Sequence, residues 1–110
     1  MPDTEAAPVL PAIGPPPALP AVLGALQDPV RLEMIRRLAN AGTALRCAAL
    51  YDGVSKSTAA HHFKILREAG LTERLTVEGH IYQRLRTDDV NEALPGLLPA
   101  ILTAANRADE

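Results

Sequence analysis

Cysteine is nearly absent from this 110-residue sequence: Cys47 stands alone, so the chain can form no internal disulfide. A small secreted scaffold is thereby disfavoured, and a reducing cytoplasm is the expected compartment. No basic residue precedes Arg31 and prolines interrupt the apolar positions before it, so neither a secretory signal nor a transit peptide is expected. The longest apolar run, LPGLLPAILTAA near the end, is too short and too proline-broken to span a bilayer. Catalytic signatures are missing as well: there is no Gly-rich phosphate loop, nucleophile elbow, HExxH helix or paired CxxC. Ser57 and His61 stand four residues apart with no orienting carboxylate on their face, and Glu68, seven residues beyond His61, lies ~10 Å away by helix rise. An enzyme is not expected, and neither is a cofactor.

What is present is unevenly distributed. The formal net charge is −2, which by itself argues against a nucleic-acid binder. Yet Lys56, Lys64, Arg67, Arg74, Arg84 and Arg86 against Glu68, Glu73 and Glu78 leave residues 55–86 at +3, while residues 1–27 carry −2 and residues 87–110 carry −4. One block is therefore attractive to phosphate, and the acidic flanks favour solubility.

Proline and glycine punctuate the chain. Pro2, Pro8, Pro11, Pro15, Pro16, Pro17 and Pro20 are dense enough to prevent a helix, so residues 1–18 are expected to be a disordered Pro-rich tail and 19–106 the folded domain. Pro17-Ala-Leu-Pro20 has a proline-ligand spacing but no adjacent arginine to orient it, and it reads as linker. Leu19, Val22, Leu23 and Leu26 then recur at helical spacing, and Asp28-Pro29 starts a second helix as N-cap and first position. That helix should run to about Asn40, with Leu32, Ile35, Leu38 and Ala39 inward, Arg31, Arg36 and Arg37 outward, and Gly42 as its stop. A third short helix is expected over residues 44–51, followed by an Asp52-Gly53 turn.

The stretch SKSTAAHHFKILREAGL, from Ser55, predicts a fourth helix with two distinct faces. Ala59, Phe63, Leu66 and Gly70 mark its core side; Ser57, Ala60, His61 and Lys64 form a polar side, small enough for close approach and able to donate hydrogen bonds to base edges. His62 diverges from His61 by about 100° and is expected to orient or pack the helix. Residues 71–77 and 80–85 read as two strands around a tight Glu78-Gly79 turn. Two helices on a short turn followed by a hairpin make a winged helix-turn-helix, mainly α with a small β-hairpin. Arg74, Arg84 and Arg86 are expected beside the recognition helix, with His80 at the wing tip reaching the adjacent minor groove or its phosphates.

From about Leu19 to Ala105 the chain resembles the ArsR/SmtB family of bacterial winged-helix repressors. The resemblance is carried by LGALQDPVRLEMIRRLA, by VSKSTAAHHFKILREAGL, which follows the family pattern S-x-S-T-x-S-H-H-L-x-x-L-x-x-A-G-L, and by the wing EGHIYQRL. It departs at Ala60, where the family usually has serine, and at His80, where the wing usually has arginine. The resemblance implies a homodimer, paired through its first and last helices, that binds an inverted-repeat DNA operator and is released by a ligand. It places Lys56, Ser57, Thr58 and His61 on the DNA; the charge of Lys64, Arg67, Arg74 and Arg84, with His80 on the wing, is expected to add sequence-independent anchoring. The family is known for metal sensing, but Cys47 lacks a second cysteine two residues away, and the last segment has Asp88, Asp89 and Glu92 without histidine or cysteine. No metal site of the familiar kinds is expected. A thiol or redox role for Cys47 remains the alternative trigger.

The apolar stripe Leu94, Leu97, Leu98, Ile101, Leu102 and Ala105 has no matching surface in so small a domain. With Leu19, Val22, Leu23 and Leu26 it is expected to form the dimer interface, setting two recognition helices ~34 Å apart. The competing function of a different class is a winged-helix protein-interaction module using the same face.

Overall fold

The computed structural model describes residues 14–108. Five α-helices are present among them: α1 (Leu19–Leu26), α2 (Pro29–Ala41), α3 (Lys56–Glu68), α4 (Thr87–Ala93) and α5 (Leu97–Arg107). Strands β1 (Leu45–Arg46), β2 (Thr72–Val77) and β3 (His80–Leu85) form an antiparallel sheet in the order β1-β3-β2. A 3₁₀ turn, Cys47–Leu50, stands between β1 and α3. The winged helix-turn-helix is thus present, and the wing is a three-stranded sheet.

Local chemistry explains most boundaries. Asp28 caps α2, its Oδ1 accepting from the backbone N–H of Val30 at 2.8 Å and of Arg31 at 3.1 Å, with Pro29 next in line. Gly42 ends the helix with φ +69, the left-handed geometry of a C-terminal stop. Ser55 caps α3 by accepting from Thr58 N–H at 3.1 Å. At the wing tip Glu78 and Gly79 both have positive φ, +51 and +82, which matches the right-handed twist of the flanking strands.

The third helix is not formed. Its first residues extend to pair Leu45 with Gln83 and Arg46 with Tyr82, and the single 3₁₀ turn that follows brings Leu50 into the core. A segment this short gains too few helical bonds to offset nucleation, whereas an open strand edge offers it ladder bonds at once.

The core gathers Val22 and Leu26 from α1, Met34, Ile35 and Leu38 from α2, Leu50, and Ala59, Phe63 and Leu66 from α3, closed by Leu71, Val90 and Leu98. Truncating one of its larger side chains to alanine costs about 2–5 kcal/mol. The α2 arginines do not simply face solvent. Arg36 and Arg37 both bind Glu33, Arg36 also reaches Asn106 of α5 at 3.3 Å, and Arg37 ties α2 to the turn before α3 through the Ala49 carbonyl and Asp52. The hydrogen bonds donated by Arg36, together with those from Arg37, hold Glu33 down at about 2 against the opposing effect of burial; those that Arg37 donates to Asp52 and Glu33 hold Arg37 up.

Residues 1–13 of the expected tail lie outside the described residues. Residues 14–18 are laid on the domain rather than free of it: Pro17 is buried, and the Pro15 carbonyl accepts from Arg86 Nη1 at 2.8 Å. The segment crosses Gly70, whose φ is +83 and where a Cβ would stand 2.7 Å from the Pro15 oxygen, so glycine is required there twice over.

Candidate nucleic-acid interface

Helix α3 turns its apolar stripe inward and leaves Lys56, Ser57, Thr58, Ala60, His61 and Lys64 exposed along one side. The first of these positions sit at the capped N-terminus, where the Ser55 hydroxyl donates to Thr58 Oγ1 at 2.9 Å. His61 projects outward. His62 is half-buried, and its Nδ1 lies 3.1 Å from Arg31 Nη1, which donates to it; Arg31 in turn donates through Nε to the Ala25 carbonyl at 2.8 Å. The Asp28 cap beside Arg31 experiences burial that pushes it up, but the backbone N–H groups of Arg31 and Val30, with the Arg31 charge, bring it below the usual carboxylate range.

Between α3 and the wing runs a groove of about 450 Å³. Lys56, Ala60, Phe63 and Arg67 line it from α3, Arg74, Gly79, His80, Ile81 and Gln83 from the hairpin, and Arg46, Cys47, Ala48 and Tyr51 from the connecting turn. Among the described residues, four permanent cations and one histidine border this space, and no carboxylate does. Such a surface attracts phosphate, and the small exposed residues of α3 beside it allow a helix to approach base edges.

A family model described as a helix-turn-helix domain matches residues 26–74. The uncharacterized HTH-type transcriptional regulator YceK of Bacillus subtilis strain 168 is 39% identical over 82 residues, which span 73% of this chain and 82% of that protein. An ArsR-like transcriptional regulator from Rhodococcus sp. RHA1 superposes with a TM-score of 0.61 at 25% identity, over 83% of this chain and 86% of that one. The chain belongs to the ArsR/SmtB family of transcriptional regulators. At the level of fold it is also similar to the transcriptional repressor BigR from Xylella fastidiosa, with a TM-score of 0.56 at 23% identity over 68% of this chain and 78% of that one. As a helix-turn-helix regulator it is a DNA-binding protein and not an enzyme.

Within this ArsR/SmtB regulator, Lys56, Ser57, Thr58, His61 and Lys64 share the exposed side of α3, and Arg67, Arg74 and His80 join Lys56 around the groove. Arg84 does not join them. In the hairpin register Arg74 pairs with Gln83 and Glu73 with Arg84, so the two arginines point to opposite faces of the sheet. Arg84 forms an ion pair with Glu73, in a depression shared with Asp88 and Asp89. Arg86 is also removed from the groove: it is buried, bonded to Asp89 and to the Pro15 carbonyl. Arg46 was not singled out from the sequence, because a helix over 44–51 gave it no defined direction; strand pairing brings it to the groove.

The apolar residues expected at the dimer interface divide in the same way. Val22, Leu26 and Leu98 are buried within the single chain and are core. Leu19 and Leu23, one turn apart on α1, are 46% and 48% exposed, while Leu97, Ile101, Leu102 and Ala105 on α5 are half-buried. No group of three or more His, Cys, Asp or Glu side chains among the described residues is arranged to hold a metal ion, and no helix there is long and apolar enough to cross a membrane.

Proposed function

We propose that the chain is a cytoplasmic homodimeric repressor that binds an inverted-repeat operator, with α3 in the major groove and the cations of the α3–wing groove on the flanking phosphates. The observation that carries this reading is the juxtaposition of an exposed, donor-bearing helix face with a groove bordered by Arg46, Lys56, Arg67 and Arg74 and, among the described residues, by no acid. Base contacts fall to Lys56, Ser57, Thr58 and His61, and Lys64, Arg67, Arg74 and His80 act as sequence-independent anchors. Leu19 and Leu23, with the half-buried residues of α5, supply the twofold contact that spaces the two helices about one DNA turn apart. Triggering at Cys47 by a thiol oxidant has less support, since one subunit carries no second cysteine to trap the oxidised sulfur within the chain.

The test is a fluorescence-anisotropy titration on the inverted repeat upstream of the gene. Lys56→Ala and His61→Ala should each weaken binding by about tenfold while the melting temperature and the dimer persist, and affinity should fall steeply with salt. Unchanged affinity in both variants, or salt-insensitive binding, overturns the reading.

A further inference from the structure

The groove between α3 and the wing has a feature that phosphate binding does not use. Gln83 lines it and is only 2% exposed, so it forms part of the floor of the groove. One end of its amide is spent on Cys47, with Nε2 donating to Sγ at 3.7 Å, and the other end, Oε1, is buried without a hydrogen-bond partner. An orphaned buried acceptor costs about 1–3 kcal/mol, and a ligand carrying an N–H or O–H donor relieves that cost. Above it the walls include Tyr51, Phe63 and Ile81, which suit a flat apolar body, and the rim carries Arg46, Arg67 and Arg74. The volume of about 450 Å³ falls in the ordinary range of small-molecule sites.

We propose that this groove is an effector site for a small organic anion with an apolar body and one hydrogen-bond donor. The anionic group sits on the rim arginines, the body against Tyr51 and Phe63, and the donor on Gln83 Oε1. Resting on the DNA-binding reading above, the proposal makes release a matter of competition: the ligand neutralises the cations that otherwise hold operator phosphates, with no need for a metal or a change at the dimer interface. Ligand and operator are then mutually exclusive on one subunit.

Three probes separate the contributions on the intact chain. These are 4-hydroxybenzoate, which has anion, ring and donor; benzoate, which lacks the donor; and methyl 4-hydroxybenzoate, which lacks the charge. Binding is followed without DNA by amide chemical-shift changes, and displacement is followed by anisotropy of labelled operator. The expected order has 4-hydroxybenzoate about tenfold tighter than either of the others, with shifts centred on Cys47, Phe63 and Gln83. Gln83→Leu should bind 4-hydroxybenzoate and benzoate alike while still binding operator; the comparison of the acid with its ester on the unaltered chain keeps the test informative if that variant fails to fold. No shifts at groove residues with any probe, on a chain that binds operator, overturn the effector site and leave the DNA reading standing. Groove shifts on a chain that binds no operator overturn the competitive release.

Discussion

Arg74 and Arg84 lie on adjacent strands of the same hairpin and carry the same charge, yet they belong to different parts of the molecule. Arg74 opens onto a groove with no carboxylate, whereas Arg84 is held by Glu73 and shares its surroundings with Asp88 and Asp89. Arg86 repeats the second pattern, buried between Asp89 and the Pro15 carbonyl. Among the described residues the groove itself is lined by cations and no acid, with Glu68 and Glu73 meeting Arg67 and Arg74 only in a smaller depression, whereas the opposite face of the wing is neutralised and spent on holding the fold. A positive block in a sequence is therefore only an upper bound on the positive surface, because strand pairing decides which charges meet an acid first.

This contrast can be broken at the structural end first. Arg86→Ala should lower stability by about 2 kcal/mol, since it removes a buried guanidinium that holds the Pro15 carbonyl and leaves a gap beneath the N-terminal strap; a denaturant titration with an unchanged midpoint would contradict that role. At the groove end, Arg74→Ala should weaken DNA binding by about 1 kcal/mol and reduce the slope of log affinity against log salt by about one unit. Arg84→Ala should leave that slope intact and instead cost about 1 kcal/mol of stability, because Glu73 is only 5% exposed and loses its partner. Equal salt slopes in the two variants would erase the distinction between the faces.

The smallest effect concerns the α2 network. Glu33 is held at about 2, below its usual 4.5, so its contribution to stability is complete above pH ~4.5 and is lost as pH falls through about 2. Its side chain is 35% exposed, which screens the pairs and keeps the contribution under about 1 kcal/mol. Glu33→Gln should melt slightly below the unaltered chain at neutral pH, and the gap should close between pH 4.5 and 2. A gap that persists at the acid end would show that packing, and not charge, is what the substitution removes.

The elements that one strong periodicity or one cap defines were legible in advance: α2 behind Asp28-Pro29, α3 with Ala59, Phe63 and Leu66 inward, and the turn at Glu78-Gly79. Met34 was missed as a core residue although it lies beside Ile35 on the same side of α2. The place of Arg84 was also within reach, because a two-residue turn at Glu78-Gly79 fixes Glu73 opposite Arg84 and so separates Arg84 from Arg74. Residues 45–50 were not legible: an alanine- and leucine-rich stretch of that length suits helix or strand equally, and only the open edge of β3 decides it. Nor could spacing tell Val22, Leu26 and Leu98, which close the core of one chain, from Leu19 and Leu23, which remain on its surface.

The bond between Arg31 and His62 has a mechanical consequence. A helix seated only by an apolar stripe can rock about its long axis, since side chains of similar shape fill a range of rotations almost equally well. The Arg31 guanidinium, itself fixed to the Ala25 carbonyl, grips α3 on one flank through a directional contact that tolerates little rotation. On the proposed DNA-binding reading, His61, the next residue, is thereby aimed before any DNA arrives, and the orientational entropy of the helix face is given up during folding rather than at each encounter. Loosening that grip should slow productive docking more than it weakens the charge attraction that brings protein and DNA together.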